Sequence, residues 1–212
     1  MHATRSVLVI VAHPDDETLW AGGTLLDHPG WNCFVACICR GSDPDRAPRF
    51  FAALRLFGAT GAIDDLDDGP EQTPLRQEVL IHHLLSLIPQ QHFDLLITHH
   101  PKGEYTRHKR HEEVSKAVIN CWQEGRIQAS ELWMFAYEDG HGAYYPQADS
   151  QAPLQAPLSP ATWQRKYQLI TVTYGFAPGS WEAATTPATE AFWRFTDPSA
   201  ACRYLQQGST LL

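Results

Sequence analysis

Strand-like apolar runs alternate with helix-like amphipathic stretches through the first 140 residues. They predict an α/β fold: a Rossmann-like, mostly parallel sheet with helices on both faces, in a single domain. Two further observations support it. The run SVLVIVA (residues 6–12) is continuously apolar and largely β-branched, as expected of a parallel strand covered on both faces. The 212 residues, 43% hydrophobic and 19% charged, suit one soluble domain able to bury a sizeable core.

The elements follow in order. After the first strand, ETLWAGGTLLDH has helical spacing over about 17–28 and stops before Pro29. FVACIC (34–39) is a second buried strand, and RFFAALRLFGAT is a helix ended by Gly58. LRQEVLIHHLLSLI (75–88) is an amphipathic helix ended by Pro89, and FDLLITHH (93–100) is a third strand, closing in histidines. HKRHEEVSKAVINCW predicts another helix and ELWMFAY (131–137) another strand. Beyond Gly140 the pattern weakens. Residues 146–160, rich in Pro, Ala and Gln, read as a surface loop, PATWQRKYQLITVTYG as a helix, and the aromatics around Trp181, Phe192 and Trp193 as packing on the sheet. The expected organisation is one domain over 1–212, with a core in 1–140 and a loop-rich 141–212 packed on it.

Composition narrows the partners. Twenty-four acidic against sixteen basic residues give a net charge of −8, and the single basic cluster is Arg107-His108-Lys109-Arg110-His111. That balance argues against nucleic-acid binding and fits a small-molecule substrate. The five cysteines are odd in number and lack a C-x-x-C pair, and three of them sit in the apolar stretch WNCFVACIC, so they read as reduced, structural thiols. With neither a signal-like leader nor a membrane-length apolar run, the expected location is the cytoplasm.

The chemistry concentrates at VAHPDDETL (11–19). Asp15 or Asp16 alone is an ordinary helix cap. A histidine, a turn-fixing proline and two aspartates directly after a buried strand instead offer the ligands and base of a catalytic metal site. THHPKGEYTRHKRHEEV supplies more imidazoles, with His108 and His111 spaced to share one helical face. Both segments follow parallel strands, whose carboxyl ends are where such sheets bind ligands. His82, His83 and His92, on or after a helix with no carboxylate partner in view, read as surface residues, and His28, before Pro29, as a helix-end residue.

Taken together, AHPDDE, Gly22-Gly23, the Arg-bearing helix ending at Gly58, Asp68-Gly69, DLLITH and GEYTRHKRH resemble, in order, the PIG-L/LmbE-like zinc-dependent N-deacetylases. The resemblance implies that His13, Asp16 and His111 hold Zn2+, or another divalent ion such as Fe2+. It implies that Asp15 is the general base for a zinc-activated water, and that protonated His108 stabilises the oxyanion or protonates the leaving amine. It also implies that Arg46 and Asp68 bind sugar hydroxyls. The reaction would be removal of an N-acetyl group from an amino sugar or its conjugate. Two departures stand out: Arg49 occupies a position that is often Glu, and His108-Lys109-Arg110-His111 lacks the usual inner Asp, for which Glu104 and Glu112 are the nearby candidates. Two alternatives remain open. One is a two-metal phosphoesterase using the acidic run Asp64-Asp65-Leu66-Asp67-Asp68; the other is a sugar-binding relative without turnover.

Overall fold

In a computed structural model, residues 4–105 and 108–209 are described; Thr106 and Arg107, part of the basic cluster and of GEYTRH, lie outside them. Seven strands form the main sheet: β1 (Ser6–Val11), β2 (Asn32–Cys39), β3 (Thr60–Leu66), β4 (Leu95–Thr98), β5 (Leu132–Phe135), β6 (Leu154–Pro157) and β7 (Thr189–Phe195). Their spatial order is β6-β7-β5-β4-β1-β2-β3. β1 to β5 run parallel, whereas β7 is antiparallel to both β5 and β6.

β1 is central because its side chains suit both faces. Leu8 and Ile10 enter one core with Leu80, Leu84, Val114 and Val118, from helices α3 (Gln77–Leu87) and α4 (Lys109–Gln123). Val7, Val9 and Val11 enter the other with Leu19, Trp20, Phe50 and Leu54, from α1 (Asp16–Asp27) and α2 (Arg46–Phe57). This period-two division is why an unbroken apolar run was needed there. α2 ends as its sequence indicates: Gly58 takes φ +69°, and its N–H returns to Arg55 O at 3.2 Å.

The chain lays down β1, β2 and β3 outward on one side, then crosses back to put β4 on the other side of β1. That reversal opens a crevice at the carboxyl ends of β1 and β4, so the segments beginning at His13 and His99 face each other across it.

The C-terminal third departs from expectation in three ways. The segment read as a loop over 146–160 contains β6. The aromatic stretch around Phe192 and Trp193 does not lie over the sheet; it is β7, hydrogen-bonded within it. The helix expected after Pro160 is α5 (Pro160–Gln168), capped by Ser159 and continued by a π-helical turn, Leu169–Thr173. α6 (Trp181–Thr185) and α7 (Pro198–Ser209) complete the chain. β3 is an addition: it ends within the acidic run Asp64-Asp65-Leu66-Asp67-Asp68 and so delivers Asp68 to the same sheet edge.

Candidate metal centre

Asp15 occupies the N-cap position of α1, but its side chain makes no cap hydrogen bond. Its φ of +116° lies in a region that side-chain-bearing residues rarely adopt, and such strain gathers at functional sites. Held this way, its Oδ2 accepts from Arg46 Nη1 at 3.2 Å, while its backbone N–H donates to Glu17 Oε2 at 3.2 Å. The helix-cap reading therefore does not describe Asp15.

Three donor atoms converge beside it. His13 Nδ1, Asp16 Oδ2 and His111 Nε2 lie 3.2–3.3 Å from one another. A carboxylate only accepts, so neighbouring acids fix the protons. His111 Nδ1 donates to Glu104 Oε2 at 2.5 Å, leaving Nε2 a bare lone pair. His13 Nε2 lies 3.3 Å from Asp68 Oδ1, without the alignment of a hydrogen bond, which favours a bare Nδ1. Three lone pairs so close together repel unless a proton or a cation sits among them. The pKa values agree: although burial opposes it, Asp16 and its carboxylate neighbours raise those of His13 and His111. Burial would raise Asp16 too, but His111 beside it holds its carboxyl well below the usual range. Two imidazoles and a carboxylate are a normal donor set for zinc or iron, so the residues fit such an ion.

Two further groupings of possible ligands overlap this one: His13, His108 and His111, and Asp16, His99 and His111. His99 Nε2, 3.4 Å from Asp16 Oδ2, already accepts the N–H of Ala12 at 2.9 Å. Its Nδ1 then donates to Glu104 Oε2 at 3.0 Å, so this ring serves as a strut. His108 leaves its buried Nδ1 without a partner. Burial, with His111 and His13 nearby, lowers its pKa to about 3. The protonated His108 that the resemblance implies is therefore disfavoured; its surroundings favour the neutral ring.

Glu104, Glu17, His99 and Tyr174 form a supporting layer, of which only Glu104 was given a candidate role from sequence. Glu104 is fully buried and holds both His99 and His111. Of the two carboxylates considered as replacements for the missing inner Asp, Glu104 thus supports His111 rather than His108. Arg110, at the position of that Asp, is spent elsewhere: it bonds Glu113, Asp67 O and Thr73 O, fixing the loop that carries Asp68. Glu17, whose pKa burial raises to about 7, accepts from Tyr174 Oη and Thr18 Oγ1.

The centre opens into a cavity of about 360 Å³, with Asp15, Arg46, Asp68, Arg40, Tyr105, His108 and Trp181 among its lining. All seven residues singled out from sequence lie in or beside it. Arg46 and Asp68 also have protein partners: Arg46 pairs with Asp15 and lies 4.4 Å over the Phe176 ring, and Asp68 bonds Arg40 and Gln72. The rest of the acidic run turns away: Asp64 meets His83, Asp65 the N–H of Ser42, and Asp67 Arg110.

A family model, PIG-L (GlcNAc-PI de-N-acetylase), matches residues 8–122, more than half of the chain, including His13, Asp15, Asp16, Arg46, Asp68, His108 and His111. The chain belongs to the PIG-L family. Among curated proteins, uncharacterised protein L374 of Acanthamoeba polyphaga mimivirus is 26% identical over 147 residues; the match covers 62% of this chain and 61% of that protein. Among solved structures, N,N'-diacetylchitobiose deacetylase from Pyrococcus horikoshii superposes with a TM-score of 0.68 at 17% identity, covering 95% of this chain and 86% of its own. The A40926 pseudoaglycone deacetylase Dbv21 gives 0.63 at 17% identity over 91% and 98%. GalB, a 4-carboxy-2-hydroxymuconate hydratase from Pseudomonas putida KT2440, gives 0.62 at 17% identity over 90% and 96%. At such identities the likeness establishes the PIG-L fold alone, and one of the three neighbours is named for a different reaction. Among the described residues, no helix of this PIG-L chain is long and apolar enough to cross a membrane.

Proposed function

We propose that this protein is a metal-dependent hydrolase that removes an N-acetyl group from an amino sugar or amino-sugar conjugate. The observation that carries the reading is the lone-pair convergence of His13, Asp16 and His111 with Asp15 beside it at the floor of a cavity. The sugar deacetylases among its structural neighbours support the choice of substrate. His13, Asp16 and His111 would hold a divalent cation, zinc or iron, which would supply Lewis-acid polarisation of the amide carbonyl and lower the pKa of a bound water to about 7.

The chain's residues do the rest. Asp15 takes a proton as water oxygen adds to the carbonyl carbon; its carboxyl, raised by burial and by Asp16, suits a base that must later return that proton. Neutral His108 donates an N–H hydrogen bond to the developing oxyanion. Asp15 then protonates the amine nitrogen, the C–N bond breaks, and acetate and the free amine leave. Arg46 orients Asp15 and, with Asp68, offers hydrogen bonds to sugar hydroxyls.

The phosphoesterase reading loses support because Asp64, Asp65 and Asp67 already have protein partners away from the cavity. Purification without chelator, metal analysis and an acetate-release assay on N-acetylglucosamine test the proposal. About one ion per chain with zinc- or iron-dependent acetate release is the expected result. Metal without acetate would sink the substrate assignment, and no metal at all would sink the mechanism.

A further inference from the structure

The cavity has two kinds of wall. Of its charged lining groups, Arg46 is tied to Asp15, and Asp68 to His13 and Arg40, on the reacting side, whereas Glu182 follows Trp181 on the other wall. Its aromatic lining comprises Trp20, Tyr105 and Trp181. These three are not equivalent. Trp20 is fully buried, with its indole N–H donating to Asp16 Oδ1 at 3.2 Å, so it belongs to the support of the centre. Trp181 is 37% exposed while lining the cavity, an unusual investment of apolar surface for an indole. Its ring centroid lies 4.7 Å from that of Tyr105, and the Tyr105 centroid lies 5.6–5.7 Å from those of His108 and His111. A group on Trp181 is therefore one aromatic ring away from the histidines.

Trp181 is also held in place. Ser180 caps α6 by accepting the N–H of Ala183 at 3.2 Å. Upstream, Arg49 Nη1 donates to Thr173 O at 3.2 Å and lies against Gly175. Gly175 has φ +75°, and a Cβ there would come 2.2 Å from that guanidinium. Arg49, at the position where family members often carry Glu, thus straps the segment leading to Trp181 onto α2. An exposed aromatic on a strapped segment presents surface at little ordering cost, as a preformed binding wall should.

A pyranose matches such a cavity: one face is a patch of C–H bonds suited to an aromatic plane, and its rim is hydroxyls suited to Arg and Asp. A cavity of about 360 Å³ is at the small end for ligand sites, which run from roughly 300 to 1,000 Å³. We propose that Trp181, with Tyr105 beside it, is a stacking platform that makes this site selective for a one- or two-ring acetamido sugar over acyclic N-acetyl amines. This rests on the deacetylase reading and adds a specificity-determining residue to it.

The test compares kcat/KM for acetate release from N-acetylglucosamine and from acyclic N-acetylethanolamine, in zinc-loaded wild type, Trp181→Ala and Trp181→Phe. Stacking of the usual strength predicts that Trp181→Ala lowers kcat/KM for the sugar about tenfold, mainly through KM. The loss on the acyclic substrate should be several-fold smaller, and Trp181→Phe should recover most of the loss on the sugar. An equal effect on both substrates, or none on the sugar, overturns the platform while leaving the deacetylase standing. Acetate release from neither substrate by wild type overturns the deacetylase reading itself, and the platform with it.

Discussion

Asp15 combines a strained backbone with a carboxyl that burial pushes well above its usual pKa. A conformation of this kind costs about 1–3 kcal/mol and persists only where neighbours over-determine it. Here Glu17 accepts its N–H, Arg46 holds its carboxylate, and its carbonyl accepts from Thr18 and Leu19. Because Asp15 contributes no donor atom to the converging three, Asp15→Asn should keep its metal and lose turnover by about 10²–10⁴-fold. Metal analysis beside a rate measurement checks both, and near-normal turnover would remove Asp15 as the base. Glu104 acts through His111 instead. Glu104→Gln cannot serve as a negatively charged acceptor for His99 and His111, so affinity for zinc should fall about 10–100-fold, read by competition with a chelator. Unchanged affinity would reduce Glu104 to a core residue. At this scale the sequence revealed what is contiguous. His13, Asp15 and Asp16 announce themselves in one motif, whereas Glu104, Glu17 and His99 gain their roles only from burial and from partners brought close by folding. The one usable signal was two acids adjacent to histidine-rich strand ends.

Elements were legible where hydrophobic pattern alone decides them. β1, β2 and β4 are buried on both faces and read as unbroken apolar runs, and Gly58 and Pro89 mark helix ends as their backbone preferences require. β3, TGAIDDL, is an edge strand with most of its residues half-exposed, so its acids and glycine resemble a loop. β6, LQAP, ends in proline and is tolerated because it too is an edge. The antiparallel β7 was hidden among aromatics that suit several environments. What holds this last region to the centre is also unreadable from sequence: Glu190 of β7 and Lys166 of α5 form a fully buried ion pair at 2.7 Å. Glu190 further accepts the N–H groups of Gly23 and Thr24, both at 2.7 Å, so three elements meet on one carboxylate. Removing only the cation strands a buried charge. Lys166→Met should therefore destabilise the protein by about 3–5 kcal/mol, and adding Glu190→Gln should restore part of the loss. Denaturant unfolding of both single variants and the double variant would test this. Additive losses would show that the two side chains are not coupled.

The molecule as a whole is organised by the reversal of strand order between β1 and β4, which brings HPDD and the His99–Glu104 segment to one crevice. His100 connects that crevice to the far end of the chain. Its Nδ1 accepts the N–H of Lys102 at 3.1 Å, so its Nε2 carries the proton and donates to Tyr204 Oη of α7 at 2.9 Å. Both nitrogens are committed with the ring neutral, and burial lowers the pKa from 6.5 to about 4. A histidine depressed on folding stabilises the native state fully above its unfolded pKa. Between pH 6.5 and 4 the unfolded chain binds the proton that the folded one refuses, so stability declines as pH falls through that interval and flattens below it. The contribution of this one group over that interval is roughly 3 kcal/mol, at 1.36 kcal/mol for each pKa unit. Urea unfolding of wild type and His100→Asn at a series of pH values should show the wild type losing stability more steeply between pH 6.5 and 4, because asparagine has no proton to gain. Parallel curves across that interval would mean that His100 takes up its proton in the folded state, and that its bonds to Lys102 and Tyr204 do not fix the neutral ring.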